Sequence, residues 1–240
     1  MTATATEAAV DKFTSPLYSP SEAARFLGLP ESTFRNWAHG YRVEIDGRVI
    51  TGDTVLRTVE RKGRQGPNIP FAGLAEGYAL AAIRRSGVPM QRIRPALDLL
   101  SREMGIAHAL ASERLFTDGA EVLFDYSETV GEEERAAVRD LVAVRSGQRV
   151  LNEVVAGYLK RIEFGSDGFA SAVPLPGFER AQIVADVRRS FGQPVFRRGG
   201  VRLEDAIALF KAERDIDVVS EEYGIPRAEL EDVLATLVKS

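Results

Sequence analysis

Residues 19–55 hold a run of start and stop signals that leaves little choice of local fold. Ser19-Pro20-Ser21-Glu22 reads as a capping box: Ser19 caps, Pro20 takes the first helical position, and Glu22 stands three residues after the cap. Ala23, Ala24 and Leu27 are apolar along that helix, and Gly28 stops it. Leu29-Pro30 reopen a second helix that runs through Trp37, with Phe34 and Trp37 one turn apart and directed at a core. Two short helices joined by a glycine-containing turn form a helix-turn-helix. Past His39-Gly40 the period changes, because residues 41–55 alternate around Asp46-Gly47, the dipeptide of a two-residue hairpin turn. A hairpin directly behind a helix-turn-helix predicts a wing.

Further along, residues 60–70 read as a basic, Gly/Pro-rich loop. Phe71, Leu74, Ala75, Tyr78 and Ala82 form one helical stripe ended by Gly87. Pro89 begins another helix, with Ile93, Leu97, Leu100 and Met104 on one face and Pro95 as a possible kink. This helical pair either packs on the first unit or makes a dimer seam. Residues 115–178 read as mixed: strands at 121–126, 161–164 and 169–173, helices at 132–144 and 152–158, and a hairpin turn at Gly165-Ser166-Asp167-Gly168. Pro174-Leu175-Pro176-Gly177 reads as a hinge. Three C-terminal helices follow, carrying Leu203, Ile207 and Phe210, then Ile216 and Val219, then Leu230, Val233, Leu234 and Leu237 after Pro226. The expected fold is α+β and helix-rich. Its parts are a flexible tail (1–16), a winged helix-turn-helix (17–70), linker helices (71–112), a mixed α/β middle (113–178) and a C-terminal helical domain (179–240) with a second helix-turn-helix outline.

Composition narrows the function. No cysteine is present, which removes disulfide frameworks, zinc–thiolate fingers, iron–sulfur clusters and cysteine nucleophiles, and suits a reducing cytoplasm. The first residues lack a basic, then apolar, leader pattern, and no apolar run is long enough for a membrane helix, so neither export nor a membrane is expected. His39 and His108 lie far apart with no metal-ligand spacing, and no nucleophile elbow, P-loop or dinucleotide fingerprint appears. Neither enzyme activity nor a cofactor is expected. The formal net charge of −4 is unevenly spread. Residues 20–65 carry eight Lys/Arg against six Asp/Glu, residues 179–202 six against two, and residues 203–240 four against ten. The front can approach a polyanion and the rear repels one.

With Phe34 and Trp37 turned inward, the second helix presents Ser32, Thr33, Arg35 and Asn36, residue types that read base edges and hold phosphates. His39 suits a phosphate contact, and Arg42, Arg48, Arg61, Lys62 and Arg64 are placed for the flanking backbone from wing and loop. At the rear, Glu221, Glu222, Glu229, Glu231 and Asp232 oppose DNA, so a protein-facing role fits that trio better. Residues 191–202 form an extended, basic, glycine-rich stretch whose arginines suit an acidic pocket of a partner.

The stretch YSPSEAARFLGLPESTFRNWAHGY resembles the N-terminal unit of MerR-like winged helices, and LAEGYALAAIRRSGVPMQRIRPAL resembles the helices that accompany it. The segment SFGQPVFRRGGVRLEDAIALFKAERDIDVVSEEYGIPRAELEDVLATL is similar to a small helical domain of antitoxins partnered with PIN-like toxins. The whole resembles a VapB-type antitoxin of a type II, VapBC-like toxin–antitoxin pair. The metal-binding cysteines and aromatic drug pocket of MerR regulators are missing. The resemblance implies a protein that binds operator DNA of its own promoter as a repressor and silences a PIN-like ribonuclease, and a homodimer is expected because helix-turn-helix readers mostly dimerise to match two-fold operators. Phe191, Pro194, Phe196, Arg197, Arg198 and Arg202 are the implied toxin-binding residues, with Arg197, Arg198 and Arg202 competing for the toxin's magnesium-binding carboxylates. A stand-alone MerR-like regulator sensing a small ligand in the middle region is the alternative.

Overall fold

The computed structural model describes residues 11–60 except 46, 66–103 except 88, 105–120 except 106, positions 123, 131, 132 and 135, residues 142–151 except 146 and 147, and residues 153–237. Helix α1 (Pro20–Phe26) starts as expected, with the Ser19 hydroxyl accepting from the Glu22 N–H and the Glu22 carboxylate accepting from the Ser19 N–H. Helix α2 (Glu31–His39) buries Phe34, Trp37 and Ala38 against it. Strands β1 (Tyr41–Ile45) and β2 (Arg48–Gly52) pair antiparallel, and the Ile45–Arg48 pairing leaves Asp46-Gly47 as the two-residue connection. Gly40 has φ +72, and a Cβ there would lie 2.6 Å from the Gly52 carbonyl oxygen, so the turn from α2 into the wing needs glycine. After the wing, the N–H groups of Val55 and Leu56 both donate to the Trp37 carbonyl, at 2.8 and 3.2 Å. That ties the wing stem to the end of α2.

Helix α3 (Phe71–Arg85) departs from a one-sided stripe, because every residue from Phe71 to Ile83 is buried. The physical reason lies in its small residues. A Cβ at Gly77 would sit 2.7 Å from the Phe34 ring, and one at Gly73 would sit 2.4 Å from the Arg57 carbonyl oxygen. These two glycines let the helix-turn-helix and the wing stem close on the flank a stripe would have left to water. Helix α4 (Met90–Glu103) runs on past Pro95 and buries Ile93, Leu97 and Leu100; Met104 lies outside the described residues. A 3-10 turn (Ala109–Ala111) and helix α5 (Glu113–Thr117) follow.

The middle region corrects two expectations. Leu123, the described residue of the strand expected at 121–126, is helical and buried. The helix expected over 132–144 holds at Glu132 and Arg135, but Val142–Arg145 is strand β3, paired antiparallel with β4 (Gln148–Leu151). The β-branched Val142 and Val144, facing another β-prone run across a two-residue connection, win over helical continuation. Helix α6 (Glu153–Leu159) packs on α3. A four-stranded antiparallel sheet completes the core in the order β5 (Glu163–Phe164), β6 (Ala170–Pro174), β7 (Ile183–Asp186), β8 (Pro194–Phe196). Helices α7 (Leu203–Glu213), α8 (Ile216–Tyr223) and α9 (Arg227–Leu237) close the chain.

Two connections expected to be loose are docked. Residues 174–177 are no hinge: Leu175 is buried, and the Gly177 N–H donates to the Phe26 carbonyl at 2.8 Å. Within the expected flexible tail, the Lys12 ammonium pairs with Asp167 at 2.8 Å and donates to the Ala170 carbonyl at 3.1 Å. Phe13 stacks on His108 with ring centroids 5.0 Å apart. The buried apolar residues form one cluster reaching from Tyr18 to Val233.

A Cβ at Gly177 would lie 1.9 Å from the Arg25 carbonyl oxygen, a backbone atom with nowhere to go. Gly177→Ala is therefore expected to lower unfolding free energy by about 3 kcal/mol. Urea denaturation followed by circular dichroism measures it, and a change within 0.5 kcal/mol (roughly the scatter of surface substitutions) rejects the docking role of this turn.

Candidate nucleic-acid and partner surfaces

The outward face of α2 carries Ser32, Arg35 and Asn36 exposed, Thr33 half-buried, and His39 exposed at the C-terminal end. Burial of Phe34 and Trp37 sets this orientation, since residues one helical turn apart share a face. Arg35 is ion-paired with Glu31 one turn earlier on the exposed surface, a contact worth little in water and easily exchanged for a phosphate. On the wing, Arg42 and Arg48 are exposed. Arg61, Lys62 and Arg64 lie outside the described residues. The Val43–Ile50 pair is also exposed on the hairpin, which makes the wing apolar as well as basic.

Three residues that position the winged helix-turn-helix escape a sequence reading. Arg94 of α4 donates to the Asp53 carbonyl and lies over the Tyr41 ring, 5.9 Å from its centroid, bracing the wing base from below. Glu76 is buried in the middle of α3; its carboxylate accepts from the Arg57 N–H at 2.6 Å and meets His108 Nδ1 at 2.8 Å. A buried carboxylate is tolerated where its lone pairs are taken up in this way. His108 holds a left-handed backbone at φ +73, uncommon for a residue with a side chain. A cavity of about 430 Å³ opens beside the pair, its walls including Thr54, Thr58, Asp98 and Ser101. The sequence carried a faint signal in one acid within an otherwise apolar helix, but nothing near it named the imidazole 32 residues away.

At the rear, the residues expected as a partner-binding arm divide. Pro194 and Phe196 are buried in β8, where Val184 pairs with Val195, so they present no surface. The extended stretch is a strand and a tight turn: the Phe196 N–H donates to the Val201 carbonyl at 2.9 Å, with Gly199 and Gly200 at φ +76 and +69. β-Prone Val195-Phe196, with Pro194 at the start of the strand, gains a neighbouring strand here that the sequence alone could not name. Arg197 and Arg198 are exposed on this turn, whereas Arg202 is ion-paired with Glu204 at 2.7 Å. Phe191 is 42% exposed, in a turn where Ser190, Phe191 and Gly192 have φ +48, +56 and +81. Left-handed backbone costs about 1 kcal/mol at each of the two non-glycine positions.

The acidic rear face is also partly structural. Asp232 accepts from the N–H groups of Arg180 and Ala181 at 2.7 and 2.8 Å, and Glu229 from that of Gln182 at 3.4 Å. Glu231 pairs with Arg227. Of the five acids expected to face outward, Glu221 and Glu222 do so with no internal hydrogen bond or ion pair among the described residues. Among the described residues no cluster suited to a metal ion occurs, and no helix is long and apolar enough to cross a membrane.

Residues 16–97 match the family described as “Putative DNA-binding HTH domain”, a span that contains the helix-turn-helix, the wing and helix α3 whole. The chain is 42% identical over 226 residues to “Putative antitoxin VapB45” of Mycobacterium tuberculosis, a match covering 93% of this chain and 94% of that protein. The crystal structure of Rv2018 from Mycobacterium tuberculosis superposes with a TM-score of 0.77 at 41% identity, covering 93% of this chain and 99% of that one. The chain belongs to the VapB45 antitoxin family.

Replacing Glu76 by leucine strands the Arg57 N–H and His108 Nδ1 in the interior. Glu76→Leu is expected to cost about 3 kcal/mol of unfolding free energy, as loss of one partner in a buried charged network does. Thermal and urea unfolding report it, and an unchanged midpoint rejects the assignment of this carboxylate to the wing stem.

Proposed function

We propose that the chain is the antitoxin of a type II toxin–antitoxin pair, binding its own promoter through the winged helix-turn-helix and a PIN-like ribonuclease toxin through its rear half. The observation that carries the DNA half is the outward row Ser32, Arg35 and Asn36, flanked by Arg42 and Arg48 on a wing held to Trp37 by two hydrogen bonds. Such a row enters a major groove while wing arginines hold phosphates. Family membership supports the toxin half, and exposed Arg197 and Arg198 are its candidate contacts with an acidic, magnesium-binding site. Arg202, already committed to Glu204, contributes less. A cytoplasmic homodimer acting as an autorepressor completes the proposal, since two-fold operators are matched by two-fold readers.

The second reading, a MerR-like regulator sensing a small ligand, draws on the cavity beside Glu76 and His108, whose volume lies within the range of small-molecule sites. Co-purification with a PIN-like protein separates the two readings, because a ligand sensor has no such partner.

Electrophoretic shift of the chain's own promoter fragment tests the DNA half. Arg35→Ala/Asn36→Ala is expected to weaken the complex by ~10-fold or more, with affinity falling steeply as salt rises. An unchanged shift means that α2 is not the reading helix. For the toxin half, Arg197→Ala/Arg198→Ala is expected to lose most inhibition of toxin ribonuclease activity, and undiminished inhibition rejects the arginine assignment.

A further inference from the structure

Three consecutive residues, Ser190, Phe191 and Gly192, hold left-handed backbone, and only the last is glycine. Backbone held out of its preferred region persists where surrounding contacts over-determine it. Those contacts are present. The Gly192 N–H donates to the Arg189 carbonyl at 3.1 Å and the Gln193 N–H to the Ser190 carbonyl at 2.9 Å. From beneath, the hydroxyl of fully buried Tyr18 donates to the Gly192 carbonyl, fastening the turn to the front of the chain. Burial holds that phenol well above its usual pKa, with Glu22 adding to the shift, so it stays a donor. The residue displayed at the crest is Phe191, which stays 42% exposed.

The surroundings specify what would cover it. Leu17 and Val187, both half-buried, adjoin Gly192: their side chains lie 3.1 and 3.5 Å from where a Cβ would stand. They place two partly exposed aliphatic side chains beside the residue that follows Phe191. Arg188 is held by Asp186 and Glu163 at 2.9 and 2.5 Å, while Arg189 reaches Asp186 only at 3.9 Å and is 65% exposed. An aromatic at the centre with an arginine on the rim is the composition of interface residues that carry most binding energy. A preorganised anchor also loses little entropy on binding. A base-stacking platform is less well served, because the side chains beside the adjoining Gly192 are the aliphatic Leu17 and Val187 rather than a second aromatic.

We propose that Phe191 is a rigid anchor inserting into an apolar pocket of the toxin, with Arg189 meeting a carboxylate on that pocket's rim. The proposal rests on the toxin-binding reading above and adds to it the residue that holds the complex together.

Isothermal titration of the full chain with the PIN-like toxin tests it, using Phe191→Ala, Phe191→Gly and Arg189→Ala. Both Phe191 variants are expected to weaken toxin binding by ~30-fold or more, and Arg189→Ala by ~5-fold with a shallower salt dependence. Glycine adopts φ +56 freely, so Phe191→Gly is expected to melt no lower than the parent chain, which separates lost contact from lost fold. Toxin affinity within threefold of the parent (~0.65 kcal/mol) in both Phe191 variants overturns the anchor while leaving the antitoxin reading intact. A marked fall in the melting temperature of Phe191→Gly makes the ring structural and also overturns it. Loss of promoter affinity with toxin affinity intact assigns the turn to nucleic acid instead. Absence of toxin binding by the parent chain overturns both readings together.

Discussion

Burial of helix α3 on every side from Phe71 to Ile83 is the constraint on which the rest of the architecture depends. A helix apolar on every side must be covered on every side, so the helix-turn-helix, the wing stem, α4, α6 and the sheet are all recruited to it. Gly73 and Gly77 decide how closely. Without a Cβ, one admits the Arg57 backbone and the other the Phe34 ring, and the reader becomes part of the core. The polar exception, Glu76, then takes a backbone N–H from the wing stem and an imidazole from beyond α4. One carboxylate thus fixes the spacing between three segments distant in sequence.

The same economy holds at the rear. Asp232 and Glu229 hold the 180–182 turn, so acids of the last helix fasten the trio to the sheet. Gly177 clamps that sheet to α1 through the Phe26 carbonyl, and Tyr18 reaches across to the Gly192 turn. Front and rear are therefore linked by backbone hydrogen bonds and buried rings. An event at the Phe191 turn lies two residues and one phenol from the segment that caps α1.

Much of the front was legible because its signals are local. The Ser19 capping box, the Gly28 break, the pairing of β1 with β2 and the Phe34/Trp37 spacing each act within a few residues, and each appears where the pattern placed it. The middle was less legible because its pieces are short and β-prone in helix-compatible contexts: residues 142–144 became a strand when a partner strand lay two residues beyond. The expected hinge at 174–177 and residues 11–16 of the expected tail (1–16), whose first ten residues lie outside the described ones, are docked for one reason. Proline, glycine and polar composition predicts the absence of regular structure, and irregular chain can still be docked.

The sequence by itself determined the front helices with their caps and turns, the inward and outward faces of α2, and the uneven distribution of charge, since all of these follow from spacing along the chain. Only the tertiary structure decided which charges are taken up: Glu229, Asp232 and Lys12 are spent on neighbours far away in sequence, whereas Arg197 and Arg198 are left at the surface. It also decided that Pro194 and Phe196 belong to the core while Phe191 stands out of it. The physical reason is that a side chain's availability depends on what the fold brings against it, and strand pairing and helix docking set that over separations that no local pattern spans.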